Sequence, residues 1–226
     1  MHEEGRPHEG EDQILALAEA FEAMVKAGES RFFDHDELEL LIEHYLERGS
    51  VRKAQQVHHY ASGLYPESLG LQLREAQILA SNGKHVQAIP RLKNLLSFEP
   101  HNEEIHLTLA NIYSQMREHR MALQHFNAVL SFADAELKKD IYIDVALEHE
   151  NLGEWKSAVR VLLKALKEDP SNEKALMSMG RMSINTGQFE NGIERFQSLV
   201  QYYPNHIEGN FFLGVCYFEA GQMVKA

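Results

Sequence analysis

Residues 139–172 read KDIYIDVALEHENLGEWKSAVRVLLKALKEDPSN, and residues 173–206 read EKALMSMGRMSINTGQFENGIERFQSLVQYYPNH. Laid one over the other, Ala146 falls on Gly180, Gly153 on Gly187, Ala158 on Gly192, Leu162 on Phe196 and Pro170 on Pro204. Within each stretch, apolar residues recur at helical spacing in two runs divided by the glycine. The stretch is therefore a helix, a tight turn and a second helix, each helix about 12 to 15 residues long. Glycine supplies the left-handed backbone that closes the first helix. The small residues stand where two helices cross closely, and the proline stops the second helix.

Working outward, Pro66, Pro100, Pro170 and Pro204 stand 34, 70 and 34 residues apart. Seventy is two units plus a two-residue insertion, which puts Asp134 in place of a missing proline. The column 12 residues before each mark holds Ala54, Ala88, Ala122, Ala158 and Gly192. The turn column holds Gly49, Gly83, Arg117, Gly153 and Gly187, so one unit closes without glycine. A bulky column on the second helix holds His58, Leu92, Phe126, Leu162 and Phe196. Segment Ser131–Asp140 carries the insertion and is the internal joint that the spacing predicts.

These columns resemble the tetratricopeptide repeat, which sets small residues, an aromatic and a closing proline at such offsets on a 34-residue period. The resemblance covers residues 35–226 and implies an all-α class: an α-α superhelix, a right-handed solenoid of antiparallel helix hairpins. Five units follow, at 35–68, 69–102, 103–138, 139–172 and 173–206. A truncated sixth occupies 207–226, with Ala226 on the small-residue column, so the chain is expected to continue as part of a longer array. Residues 11–34 read as a capping half repeat built on Ile14, Leu17, Phe21 and Met24, and residues 1–10 as a disordered amino terminus.

Composition narrows the function classes. The formal charge of −12 disfavours nucleic acid and anionic lipid as partners. A single cysteine excludes a disulfide framework and a multi-cysteine zinc site, and suits a cytoplasmic setting. No run of eighteen apolar residues predicts insertion into a membrane. The 13 histidines show no His-Glu-x-x-His run or zinc spacing, and His58, His85, His119 and His149 sit on packing columns. Glu148 and Glu150 read as solvated carboxylates of a helix surface, Cys216 as a small core residue, and Trp155 and Phe189 as aromatic anchors between hairpins. No nucleotide-binding loop is present. Catalytic residues, metal ligands and cofactors are all expected to be absent, and the chain is not read as an enzyme.

The resemblance further implies that the first helix of each unit, helix A, lines a concave groove for a protein or peptide partner. The inward columns hold Glu39 and Glu43 in the first unit, Leu73 and Gln77 in the second, and Leu107 and Asn111 in the third. Ile143 and Leu147 follow, then Met177 and Arg181, then Phe211 and Phe218. Read in order, this face is acidic at its amino end, apolar in the middle, and basic at Lys174 and Arg181. A partner segment with basic residues at one end and apolar ones behind would be complementary. An adaptor for the acidic tails of chaperones is discounted, because the first unit is acidic where that subtype needs lysine. A non-catalytic scaffold is the leading expectation, with the regulatory segment of a longer polypeptide as the alternative. Self-association through the exposed face of the last repeat is also expected.

Overall fold

Helix A of each hairpin opens on a side chain able to accept a hydrogen bond. Asp34, Ser68, Asn102, Asp134, Asn172 and His206 take the backbone N–H of Glu37, Leu71, Ile105, Leu137, Ala175 and Gly209, respectively. Such a cap satisfies one of the four orphan donors at a helix start, and is worth about 1 kcal/mol. At Asp34 the cap is reciprocal, since the Glu37 carboxylate accepts from the Asp34 N–H at 3.0 Å.

The computed structural model describes residues 8–222. Among them lie twelve helices and no strand: α1 (His8–Ala27), α2 (His35–Glu47), α3 (Val51–Leu64), α4 (Leu69–Ser81), α5 (His85–Phe98), α6 (Glu103–Gln115), α7 (His119–Phe132), α8 (Ala135–Asn151), α9 (Trp155–Glu168), α10 (Glu173–Asn185), α11 (Phe189–Tyr202) and α12 (Ile207–Glu219). The even-numbered helices from α2 onward are the A helices of the repeat. Helix α1 begins at His8, so the order reaches three residues further than the expected boundary at residue 11. Residues 1–7 of the expected disordered segment, and Ala226 on its column, lie outside the described residues. The chain divides between Thr108 and Leu109, inside α6, into two compact units, rather than at the predicted joint near Asp134.

In the unit ending at Thr108, α1 packs on α2, α2 on α3 and α4, and α4 on α5. Phe21 of α1 and Phe33 meet at 5.6 Å between ring centres, and Tyr60 stands edge-on to both. That aromatic group, with Leu38, Leu41, Ile42 and Val57 fully buried, closes the first hairpin under α1 as a cap. In the unit beginning at Leu109, α8 packs on α9, α10 on α11, and α11 on α12. Its core runs through Leu162, Ala165, Phe196, Leu199 and Cys216, all without solvent exposure. Burying a phenylalanine such as Phe196 contributes about 2 kcal/mol.

The small columns are small for a measurable reason. A Cβ on Gly180 would stand 2.4 Å from Phe196 Cζ, and one on Gly192 would stand 2.7 Å from Cys216 Sγ. The first contact closes a hairpin and the second joins it to the next helix.

The insertion is absorbed by helix rather than by loop. The capping column is occupied by Lys138 in this repeat, and lysine has no acceptor to offer. Asp134, one turn earlier, caps instead, so α8 has 17 residues where other A helices have 13. Pro90 is the sixth residue of α5, further in than a first-turn position, and leaves the Val86 carbonyl without its helical donor.

Each hairpin turn repeats one hydrogen-bond pattern. Gly49 N–H donates to Leu46 O at 2.9 Å and Ser50 N–H to Tyr45 O at 2.7 Å; Gly153 and Glu154 repeat this on Glu150 and His149. This pairing needs one residue in the left-handed region. Gly49, Gly83, Gly153 and Gly187 have φ between 65° and 71°, and Arg117 adopts φ 61° in their place. Nothing lies within 4 Å of a Cβ built on these glycines, so only the backbone conformation selects them. Arg117→Gly is expected to stabilise by about 0.5 kcal/mol, the relief of left-handed strain less the entropy of glycine. Gly153→Ala is expected to cost about 1 kcal/mol. Thermal unfolding followed by circular dichroism measures both, and a loss of stability in Arg117→Gly would contradict the turn assignment.

Candidate partner-binding faces

The helix A face of the unit ending at Thr108 is held together by Arg74, whose side chain is about nine-tenths buried. Its Nη1 donates to Gln77 Oε1 at 2.9 Å and to Glu104 Oε1, and its Nη2 lies 3.5 Å from Glu43 Oε2. Gln77 Nε2 donates in turn to Glu104 Oε1 at 2.9 Å and Thr108 Oγ1 at 3.3 Å. Glu39 lies 3.2 Å from His35 Nε2, and its Oε1 fills the space above Gly70, 1.9 Å from where a Cβ would stand. At the acidic amino end, Glu43 shares Arg74 with Glu104 while staying half-exposed, the Glu39 Oε1 is buried without a hydrogen-bond partner, and Leu73 is buried rather than offered to a partner. Gln77 belongs to the polar network, while Leu107 is half-buried.

Arg74 escaped the sequence reading because it stands 26 residues before its mark, outside the columns taken as inward-facing. The signal lay in the spacing. Residues 30 and 31 apart on neighbouring A helices meet here, as Arg74 does with Glu104 and with Glu43.

In the unit beginning at Leu109, a pocket of about 570 Å³ opens between α8, α10 and α12. Ile143, Leu147 and Met177 form its apolar wall, although Met177 is itself 95% covered. Glu150, Lys174, Arg181 and Glu208 set both signs of charge around it. Leu147 is 51% exposed, a large apolar side chain open to water at the mouth. The expected inward residues Ile143, Leu147, Met177 and Arg181 are therefore brought together. Asn111 is exposed and lies outside this pocket, as do Phe211 and Phe218, which are 64% and 57% exposed on α12.

Glu148 corrects the reading of α8. It is 2% exposed, accepts from Ser114 Oγ at 2.5 Å, and pairs with His119 Nδ1 at 2.7 Å. Its column otherwise holds His44, Ile78, Ile112 and Met182, three of them apolar, so a carboxylate there was the available sign of a buried polar tie. Trp155, expected as an anchor between hairpins, remains 41% exposed on the rim of a second pocket between α9 and α11. Among the described residues, no group of three or more His, Cys, Asp or Glu side chains is placed to hold a metal, and no helix is long and apolar enough to cross a membrane.

Models of the tetratricopeptide repeat match residues 79–138 and 174–206. A human relative, protein O-mannosyl-transferase TMTC1, is 24% identical over 165 residues, which is 71% of this chain and 18% of that protein. The chain thus spans less than a fifth of that relative's length. Among solved structures, a tetratricopeptide repeat protein from Parabacteroides merdae superposes with a TM-score of 0.64 at 18% identity, covering 83% of this chain and 73% of its own. YrrB, described as a TPR protein with an unusual peptide-binding site, superposes at 0.57 and 17% identity, covering 74% of this chain and 86% of its own.

Partial burial pushes the Glu150 carboxyl up from its ordinary value, and the Arg181 guanidinium pulls it partway back. A carboxyl raised on folding favours the folded state below its unfolded pKa, and that advantage is lost as pH rises through the folded pKa. At neutral pH the charged form is therefore a small burden. Glu150→Gln is expected to raise the melting temperature by about 1 °C at pH 7 and to leave it unchanged near pH 4. A lower melting temperature at pH 7 would show that the Arg181 pairing outweighs the burial.

Proposed function

The chain is a tetratricopeptide-repeat protein, and on that premise we propose that it is a non-catalytic cytoplasmic scaffold which seats an extended segment of a partner protein on its helix A faces. The observation that carries this is the pocket of α8, α10 and α12. Exposed Leu147 beside Ile143 offers an apolar seat, and charges of both signs stand around it. Apolar anchoring supplies affinity, and the surrounding charges fix register and exclude wrong partners.

We read the favoured segment as one without a strongly basic end. A partner with a strongly basic end would have to compete with Arg74 at Glu43 and Glu104. The recognition elements concentrate around Leu147 instead, where Lys174 and Arg181 on α10 are flanked by Glu150 of α8 and Glu208 of α12. A segment with one apolar side chain between residues of opposite charge is the best match. The peptide-binding site attributed to YrrB is in keeping with such a role in a related fold.

Leu147→Asp and Arg181→Glu are both expected to weaken retention of the partner at least tenfold while leaving helicity unchanged, since a lost apolar anchor or reversed charge costs more than about 1.4 kcal/mol. A crosslinking pull-down from the native cell, quantified by mass spectrometry with circular dichroism as the folding control, measures this. If both variants keep every protein that the parent keeps, the helix A pocket is not the binding site.

A further inference from the structure

The pocket under Trp155 is lined differently from anything else described in this acidic chain. It encloses about 390 Å³ between α9 and α11, over the carboxyl-terminal half of α10. Leu163, Met179 and Met182 give it an apolar base, and Trp155 stands at its edge. Its charged residues are Lys156 and Arg195, and no carboxylate is among its lining residues, although the chain carries 34. It shares no residue with the helix A pocket beside Leu147.

The equivalent slot between α1 and α3 shows how the same geometry looks when it is satisfied internally. There Lys53 reaches Glu22 Oε1 at 2.6 Å, and Tyr45 donates to the same oxygen at 2.8 Å. That slot brings its own carboxylate. In the α9–α11 slot the position corresponding to Tyr45 holds Ser183, whose hydroxyl turns back to the Met179 carbonyl at 2.9 Å. The depth of the slot is left to methionines, which adapt to whatever apolar shape enters. Arg195 lies 3.6 Å from Glu194, its chain neighbour, whose carboxylate is largely in water, and a pair with one member so exposed holds little.

We propose that this slot is a second docking site, for a short acidic segment of another protein that carries one bulky apolar side chain. The apolar group enters over Met179 and Met182 and packs on the Trp155 ring. Carboxylates before and after it reach Lys156 and Arg195. Cations that rim an apolar cavity in a chain of net charge −12 select for the acid by contrast, because the rest of the surface repels it.

Trp155 is the one tryptophan of the chain, so its emission reports on this slot alone. The probe is an eight-residue peptide of aspartate and glutamate around a central Phe-Leu pair, free of tryptophan and tyrosine. Its control carries lysine at every acidic position. The acidic peptide is expected to shift Trp155 emission saturably, with affinity falling at least about fivefold from 50 to 300 mM salt. The response is expected to disappear in the Lys156→Glu/Arg195→Glu double variant and in Ser183→Tyr, which puts into the slot the side chain that Tyr45 supplies in its own hairpin. Leu147→Asp is expected to retain it in full, which separates this site from the helix A pocket.

Circular dichroism checks that each variant is folded, and the double variant alters only the rim if Ser183→Tyr does not fold. An equal response to the lysine peptide, a response that survives the rim variant, or no saturation by about 5 mM, the range of affinities weaker than −4 kcal/mol, overturns the proposal. So does concentration-dependent self-association of the parent that Ser183→Tyr removes, since that would assign the slot to a second copy of the chain.

Discussion

A hairpin of two helices this short cannot bury its own apolar flank, and everything else in the protein answers to that constraint. The answer is close approach at a few atoms. Phe196 reaches the backbone of Gly180 within a hairpin, and Cys216 reaches that of Gly192 from the next helix. Each contact needs a residue without a side chain on one side and a bulky or polarizable one on the other. Ala54, Ala122 and Ala158 are all fully buried at the equivalent crossing. The core is consequently a chain of local agreements, each involving neighbouring helices, and no distant pairing has to be found before the next one forms.

That locality explains what could be read from the sequence. The glycine column reports backbone geometry, which a single residue type reveals. Even the exception at Arg117 was legible, because a left-handed position remains left-handed when the glycine is gone. The inserted residues at the start of α8 were visible as a change of period but not as helix. Their placement depended on Lys138 failing to cap and Asp134 succeeding, a competition between two positions one turn apart. Polar interiors were the blind spot. Arg74 and Glu148 occupy positions that a column reading treats as neutral or apolar, and their partners lie on neighbouring helices 29 to 34 residues away.

Those polar interiors decide which faces are left to interact. A buried cation must be answered, because leaving it unpaired costs several kcal/mol. Arg74 is answered by Glu43 and Glu104, and this uses up carboxylates that an external basic ligand would need. Glu148 is likewise answered by Ser114 and His119 and takes no part in the surface. The visible charge of a repeat face is therefore a remainder, left after the interior has taken its share. A tally of acidic residues along a groove overstates what a partner would meet.

The same reasoning separates the two faces of α10. On one, Arg181 stands beside Glu150, close enough to moderate the effect of burial on that carboxyl, and Lys174 lies 3.7 Å from Asp140 across two exposed side chains. The Lys174–Asp140 pair is wet and exchangeable, so a ligand can replace either member at low cost. On the other face, Lys156 and Arg195 border methionines and a tryptophan with no carboxylate in the lining. A ligand there has only the outlying Glu194 carboxylate to displace from Arg195, and the desolvation of its own carboxylate is the main opposing cost. Two pockets formed on one helix thus ask for different chemistry, because one is lined by charges of both signs and the other by cations alone.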